Sequence, residues 1–89
     1  MVKIVYSRDF LKSAKKLPSQ LQEKLGELLE ICQENPFHPR LHTKMLKGKL
    51  TGFYSFRLTR EWRVIFFFQD EETIHLIKVG HRKEIYKNI

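Results

Sequence analysis

The chain has 89 residues and carries 17 Lys and Arg against 10 Asp and Glu, a formal net charge of +7 at pH 7. A chain of this length has room for one domain, which we expect to span residues 1–89. Its 42% hydrophobic and 12% aromatic residues are enough for a folded core and exclude a disordered chain. The positive charge favours a polyanionic partner.

Cysteine content and hydropathy exclude further classes. Cys32 is the only cysteine, so neither an internal disulfide nor a paired-cysteine zinc site can form, and we expect a cytoplasmic protein without metal or cofactor. His38 and His42 have the spacing of a helical metal pair, but a proline-containing loop carries them without an acidic or thiol companion. The longest apolar run, Val64 to Phe68, is far shorter than the roughly 20 residues that span a bilayer. We therefore expect no membrane association.

The first half of the chain predicts a strand followed by two helices. Residues 2–6 are β-branched or aromatic, and Ser7 follows them as a helix N-cap. An apolar stripe predicts a short first helix that Pro18 ends: Phe10, Ala14 and Leu17. A second stripe predicts a longer helix up to residues 35–36: Leu21, Leu25, Leu28, Leu29 and Cys32. Ser19 and Gln22 match the capping box that would begin it.

The second half predicts three strands after a loop over residues 36–43. They span residues 53–58, 62–69 and 73–79, with short polar or glycine-containing turns between them. The predicted fold is α+β, in the order β-α-α-β-β-β with a short C-terminal helix. The helical hairpin packs on one face of a mainly antiparallel sheet.

The first predicted hairpin sets two arginines against each other. A three-residue loop over 59–61 places Leu58 opposite Trp62 and keeps polar groups off the apolar face, which a two-residue loop would not. Arg57 then lies opposite Arg63 on the other face. Because like charges in directly opposed positions destabilise a sheet, we expect an anion between them.

The second predicted hairpin extends this arginine face. A turn at residues 70–71 would place Lys78 opposite Arg63 and Ile77 opposite Val64. The end of that strand would bring three more polar side chains to the rim of the face: His81, Arg82 and Tyr86. Several apolar residues share the face in this register, so we expect a protein partner to cover part of it: Ile65, Phe67, Ile74 and Leu76.

Three stretches then resemble the RelE/ParE superfamily of type II toxin-antitoxin toxins. They are Leu-Lys-Gly-Lys-Leu-Thr-Gly-Phe-Tyr-Ser-Phe-Arg-Leu (46–58), Trp-Arg-Val-Ile-Phe (62–66) and Val-Gly-His-Arg-Lys-Glu-Ile-Tyr (79–86). The resemblance implies a cytoplasmic toxin that a small antitoxin neutralises. RelE-branch members cut mRNA in the ribosomal A site, whereas ParE-branch members inhibit DNA gyrase.

The resemblance also implies roles for individual residues. Arg63 matches the RelE arginine that contacts the scissile phosphate, and Arg82 matches the arginine after the last strand. Arg57 takes the place of one active-site lysine, and Tyr86 approximates the C-terminal tyrosine with a shift of one residue. His81 matches a histidine of related toxins that also carry a glutamate, but Lys44 stands in that glutamate's place.

The predicted function is a ribosome-dependent mRNA endonuclease that uses the 2'-OH without a metal ion. Its catalytic residues would be Arg57, Arg63, His81, Arg82 and Tyr86, and its RNA-binding lysines Lys44, Lys47, Lys49 and Lys78. The general base stays open among His81, Lys44, Lys47 and Lys49. The expected partners are a cognate antitoxin, the ribosome and A-site mRNA. The alternatives are a ParE-like gyrase inhibitor and a non-toxic RNA-binding module.

Overall fold

The computed structural model describes residues 1–87, which form two helices and a five-stranded sheet. The strands are β1 (Lys3–Tyr6), β2 (Lys44–Met45), β3 (Phe53–Arg57), β4 (Trp62–Asp70) and β5 (Thr73–His81), and the helices are α1 (Arg8–Lys15) and α2 (Ser19–Glu34). The sheet order is β1-β5-β4-β3-β2, with β1 parallel to β5 and every other pair antiparallel. The predicted α+β fold with a mainly antiparallel sheet is confirmed.

Two parts of the predicted element order need correction. The two-residue strand β2 pairs with β3 and was not predicted, because its sequence is too short to show an alternating pattern. The predicted C-terminal helix is a single turn, in which the amides of Glu84 and Ile85 both donate to the carbonyl of His81. Residues 82–87 are turn, and residues 88–89 lie outside the described part of the chain.

The helix starts show one correct and one wrong prediction. Ser7 caps α1, since its hydroxyl accepts from the amide of Phe10 at 2.9 Å. The capping box of α2 is absent because Pro18 occupies the N-cap position and Ser19 is already helical. Gln22 instead donates to three carbonyls at and just after the end of α1, those of Ala14, Lys15 and Leu17. It thus helps to satisfy carbonyls where the helix ends.

The main core lies between the two helices and one face of the sheet. The helices and the turn between them contribute Phe10, Leu17, Leu25, Leu28 and Cys32, and the strands contribute Phe56, Val64, Phe66, Ile74, Leu76 and Val79. Phe66 has no exposed surface, and its ring stacks on Tyr54 with 5.6 Å between centroids. No helix within residues 1–87 is long and apolar enough to cross a membrane.

The register of β3 and β4 confirms the first hairpin. Phe56 pairs with Val64 and Arg57 with Arg63, and the amide of Leu58 donates to the carbonyl of Trp62. The two arginines therefore face each other across neighbouring strands, as predicted.

The register of the second hairpin was predicted wrongly. The turn lies at residues 71–72, Arg63 pairs with Gly80, and Lys78 pairs with Ile65. Ile77 is the extra residue of a β-bulge between the pairs formed by Leu76 and Lys78. Its carbonyl accepts from the Ser7 hydroxyl at 2.9 Å. Ser7, the residue before α1, thus continues the hydrogen bonding to β5 where β1 ends.

The bulge changes which residues lie opposite the helices. Ile74 and Leu76 belong to the helix-covered core rather than to the arginine face, because the extra residue reverses the alternation. Ser55 and Ile65 remain on the arginine face and are almost fully buried. The C-terminal turn covers part of that face, since Ile85 is buried and lies against Gly80.

Candidate phosphate-binding site

A cavity of about 690 Å³ opens at the end of the sheet where β3 turns into β4. One side comes from the hairpin and the end of β5, and it carries Arg57, Arg60, Arg63 and Arg82. The other side comes from α2 and the loop before β2, and it carries Lys24, Arg40 and His42. Three of the predicted catalytic residues, Arg57, Arg63 and Arg82, therefore lie around one space.

The cavity is strongly cationic. Among the described residues that line it, six are Lys or Arg and none is Asp or Glu. Within residues 1–87 only Arg82 among the six has a carboxylate within 4.0 Å. Cations held together without counter-charges repel one another and attract anions. Because guanidinium groups match the oxygen pairs of a phosphate, the cavity is suited to a phosphodiester.

Arg63 is held in place by the hairpin itself. Its Nη1 donates to the carbonyl of Thr59 at 2.8 Å and to that of Arg60 at 2.7 Å, with a longer contact of 3.3 Å to that of Trp62. Its remaining guanidinium donors make no hydrogen bond to residues 1–87. One end of the side chain is thus anchored while the other can bind a ligand.

Glu61 organises the segment that follows β5. Its Oε2 lies 3.3 Å from Nε of Arg82 and 3.5 Å from Nε2 of His81. Its backbone carbonyl accepts from the amide of Arg82 at 2.7 Å. Backbone and side chain together fix the position of Arg82 at the cavity.

His81 and Tyr86 are not among the cavity-lining residues. His81 pairs with Trp62 across β4 and β5, one position away from Arg63, and its ring meets the Trp62 ring edge-on at 5.6 Å. Its Nδ1 accepts from the amide of Lys83 at 3.2 Å. In the neutral ring the proton is then on Nε2, which faces Glu61.

The four predicted RNA-binding lysines surround the arginine face without lining the cavity. Lys44 pairs with Ser55, and Lys78 pairs with Ile65, so both belong to the same face as Arg57 and Arg63. Lys47 and Lys49 are exposed at the turn before β3. Their contact with RNA stays a prediction.

The sequence did not reveal the second side of the cavity. Lys24 and Arg40, like Arg60 on the hairpin side, look like ordinary exposed cations in the sequence, and His42 was considered only as a metal ligand. The one local signal is that Lys24 precedes the buried Leu28 by one helical turn, which places it at the edge of the core-facing side of α2. Only the tertiary fold brings these groups to the arginines.

Other reactive groups lie away from the cavity. Within residues 1–87 no group of three His, Cys, Asp or Glu side chains could hold a metal ion. Burial raises the pKa of the Cys32 thiol to about 12, because the thiolate would lose its hydration. Cys32 is therefore a core residue and has no contact with the cavity.

The sequence model of the ParE toxin of the type II toxin-antitoxin system parDE matches residues 4–86. No curated protein matches the chain. Similar solved structures include YafQ from E. coli strain BL21(DE3), with 18% identity, a TM-score of 0.79 and coverage of 97% of this chain and 99% of that one. The YoeB/ParE toxin from Agrobacterium tumefaciens has 20% identity, a TM-score of 0.76 and coverage of 90% and 98%. The RelB-RelE antitoxin-toxin complex from Methanococcus jannaschii has 25% identity, a TM-score of 0.75 and coverage of 92% and 94%.

Proposed function

We propose that this chain, which belongs to the ParE toxin family of type II toxin-antitoxin systems, is a ribosome-dependent mRNA endonuclease that inhibits translation. The observation that carries the proposal is the cavity in which Arg57, Arg63 and Arg82 converge without a lining carboxylate. A toxin that acts only by binding gyrase would have no need of opposed arginines whose repulsion costs stability. Bound phosphate would remove that repulsion.

The proposed reaction is attack of an mRNA 2'-oxygen on the adjacent phosphorus. The 2'-oxygen loses its proton as it bonds to phosphorus, the bond from phosphorus to the 5'-oxygen breaks, and that oxygen gains a proton. The products are a 2',3'-cyclic phosphate and a 5'-OH end. Arg57, Arg63 and Arg82 stabilise the extra negative charge on the phosphoryl oxygens in the transition state.

Two side chains divide the proton transfers in this proposal. His81 donates the proton to the 5'-oxygen from its imidazolium form, because a neutral imidazole is too weak an acid for this step. Of the candidate bases, Lys44 has the best support, because its pairing with Ser55 places it beside the Arg57 position. Tyr86 stacks on or orients a base, and Lys47, Lys49 and Lys78 contact neighbouring phosphates.

The proposal includes partners. The RelB-RelE structure from Methanococcus jannaschii is an antitoxin-toxin complex, and we infer a cognate antitoxin for this chain as well. We infer that the ribosome presents the A-site mRNA to the cavity. The site of action is the cytoplasm.

The decisive experiment compares two activities of the purified protein. mRNA ends are mapped in a purified translation reaction with and without the toxin, and DNA gyrase supercoiling is measured in parallel. Cuts within A-site codons, absent when ribosomes are omitted, are the expected result. Inhibited supercoiling without mRNA cuts would establish the ParE-like alternative instead.

A further inference from the structure

The second side of the cavity, formed by Lys24, Arg40 and His42, has no role in the reaction proposed above. A phosphodiester carries one negative charge, whereas six cations line the cavity. Its volume of about 690 Å³ lies within the range of sites that hold whole small-molecule ligands, roughly 300–1,000 Å³. One phosphate therefore accounts for neither the charge nor the space.

The second side is built on anchored backbone. Lys24 lies one helical turn before Leu28, which is 2% exposed and belongs both to the core and to the cavity wall. Arg40 lies in the 3-10 turn Pro39–Leu41, which the fully buried Leu41 ties to the core. The amide of Arg40 also donates to Nδ1 of His38 at 3.1 Å. The backbone at both cations is therefore held in place before a ligand binds, which lowers the entropy cost of binding.

Neither of these charges is paired with a carboxylate in the part of the chain that the structure describes. Glu27 follows Lys24 at the spacing of a helical ion pair, yet within residues 1–87 neither Lys24 nor Arg40 has a carboxylate within 4.0 Å. Both side chains line the cavity instead.

We propose that the cavity binds two consecutive phosphates of one RNA strand. Arg57, Arg63 and Arg82 bind the phosphate that reacts, and Lys24 with Arg40 bind the next one along the strand. The inference rests on the proposed function for the identity of the strand, and it adds a second subsite outside the reaction centre.

The test uses short oligonucleotides in which every ribose is 2'-O-methylated, so that cleavage cannot occur. A dinucleotide with one internal phosphate is compared with a trinucleotide with two, both without terminal phosphates. Binding to the purified full chain is measured by calorimetry over a range of salt concentrations. The double variant Lys24→Gln/Arg40→Gln is compared with Arg8→Gln/Lys12→Gln, which removes the same charge from α1 outside the cavity.

The expected result is specific to the second phosphate. Each phosphate contact contributes about −0.7 to the slope of log K against log salt for single strands, so the trinucleotide slope exceeds the dinucleotide slope by about 0.7 in the wild type. Lys24→Gln/Arg40→Gln removes that difference and leaves dinucleotide binding within about twofold. Arg8→Gln/Lys12→Gln retains the difference.

Three outcomes of the oligonucleotide binding assay would overturn the inference: equal losses for both oligonucleotides, an equal effect of the α1 variant, or no binding of either oligonucleotide by the wild type. Loss of antitoxin affinity with unchanged trinucleotide binding would assign the subsite to a protein partner and also overturn it. Because the assay contains no ribosome and no cleavable bond, it is independent of the mRNA mapping. If the protein binds two phosphates but mRNA is not cut in the translation reaction, the proposed endonuclease function is wrong and the two-phosphate inference stands.

Discussion

The helix-covered core and the cationic cavity are made by neighbouring residues of the same two strands. Phe56 and Val64 point into the core, while Arg57 and Arg63, one position along each strand, belong to the opposite face and line the cavity. The core lowers the free energy of the fold by removing apolar surface from water. The cavity raises the free energy of the fold, because the described residues that line it bring like charges together without a lining counter-charge. Loss of a side chain should therefore destabilise the protein when it comes from the core and stabilise it when it comes from the opposed arginines of the cavity.

The largest effect on stability is expected from the core. Phe66→Ala removes a fully buried ring and should lower the free energy of unfolding by about 3–5 kcal/mol, measured by urea denaturation. The matched control is Phe67→Ala, which removes the same ring from the next position on the opposite, partly exposed face. Phe67→Ala should lower the free energy of unfolding by clearly less than Phe66→Ala. Equal losses would show that the helix-covered face is not the main core.

The largest effect on activity is expected from the anchored arginine. Arg63→Lys keeps the charge but cannot contact the carbonyls of Thr59 and Arg60 while also presenting two parallel donors to a phosphate. We expect mRNA cleavage to fall about 100- to 1,000-fold, with binding of the antitoxin retained. Arg8→Gln, an arginine of α1 outside the cavity, should cleave normally. Wild-type cleavage by Arg63→Lys would remove Arg63 from the site.

A smaller effect on stability separates the true helix cap from the apparent one. Ser7 accepts from the Phe10 amide and donates to the Ile77 carbonyl in the bulge of β5. Ser7→Ala should therefore cost about 1–2 kcal/mol of unfolding free energy. Ser19→Ala, at the predicted but absent capping box, should cost close to nothing. A thermal melt of both variants checks the pair, and a larger loss for Ser19→Ala would contradict the cap assignment.

These two serines also show how far the sequence could predict the fold. Ser7 was recognisable because its cap depends on residues three positions away, and the first hairpin was recognisable because only one register buries the apolar side chains. Ser19 and Gln22 matched a local motif, but Pro18 had already taken the N-cap position and Gln22 bonds to α1. The sequence therefore predicted the features that depend on contacts between residues close together in the chain.

The second hairpin and the cavity depend on contacts between distant parts of the chain. The bulge at Ile77 is accommodated by the hydroxyl of Ser7, 70 residues earlier, and no alternation pattern within β5 shows it. Three of the four arginines on the hairpin side, Arg57, Arg63 and Arg82, followed from register and resemblance. Lys24 and Arg40 could not be found in this way, because α2 and the following loop reach the cavity only through packing of Leu28 and Leu41.

The smallest expected effect on stability is a gain rather than a loss. Arg57→Gln removes one member of the opposed pair with Arg63, so it should raise the free energy of unfolding by a few tenths to about 1 kcal/mol at low salt. The gain should shrink in 1 M salt, where charges are screened within about 3 Å. mRNA cleavage should fall in the same variant, because the reacting phosphate loses a partner.

Arg60→Gln is the matched control for this variant, since Arg60 lines the cavity but lies in the hairpin loop without an opposed arginine. Urea denaturation at low and high salt should show a gain for Arg57→Gln that exceeds any gain for Arg60→Gln. A loss of stability, or a gain that salt does not change, would mean that packing rather than repulsion governs the pair. A salt-sensitive gain in stability for Arg57→Gln, together with lost cleavage, would show that the opposed pair of Arg57 and Arg63 destabilises the fold and is required for cleavage.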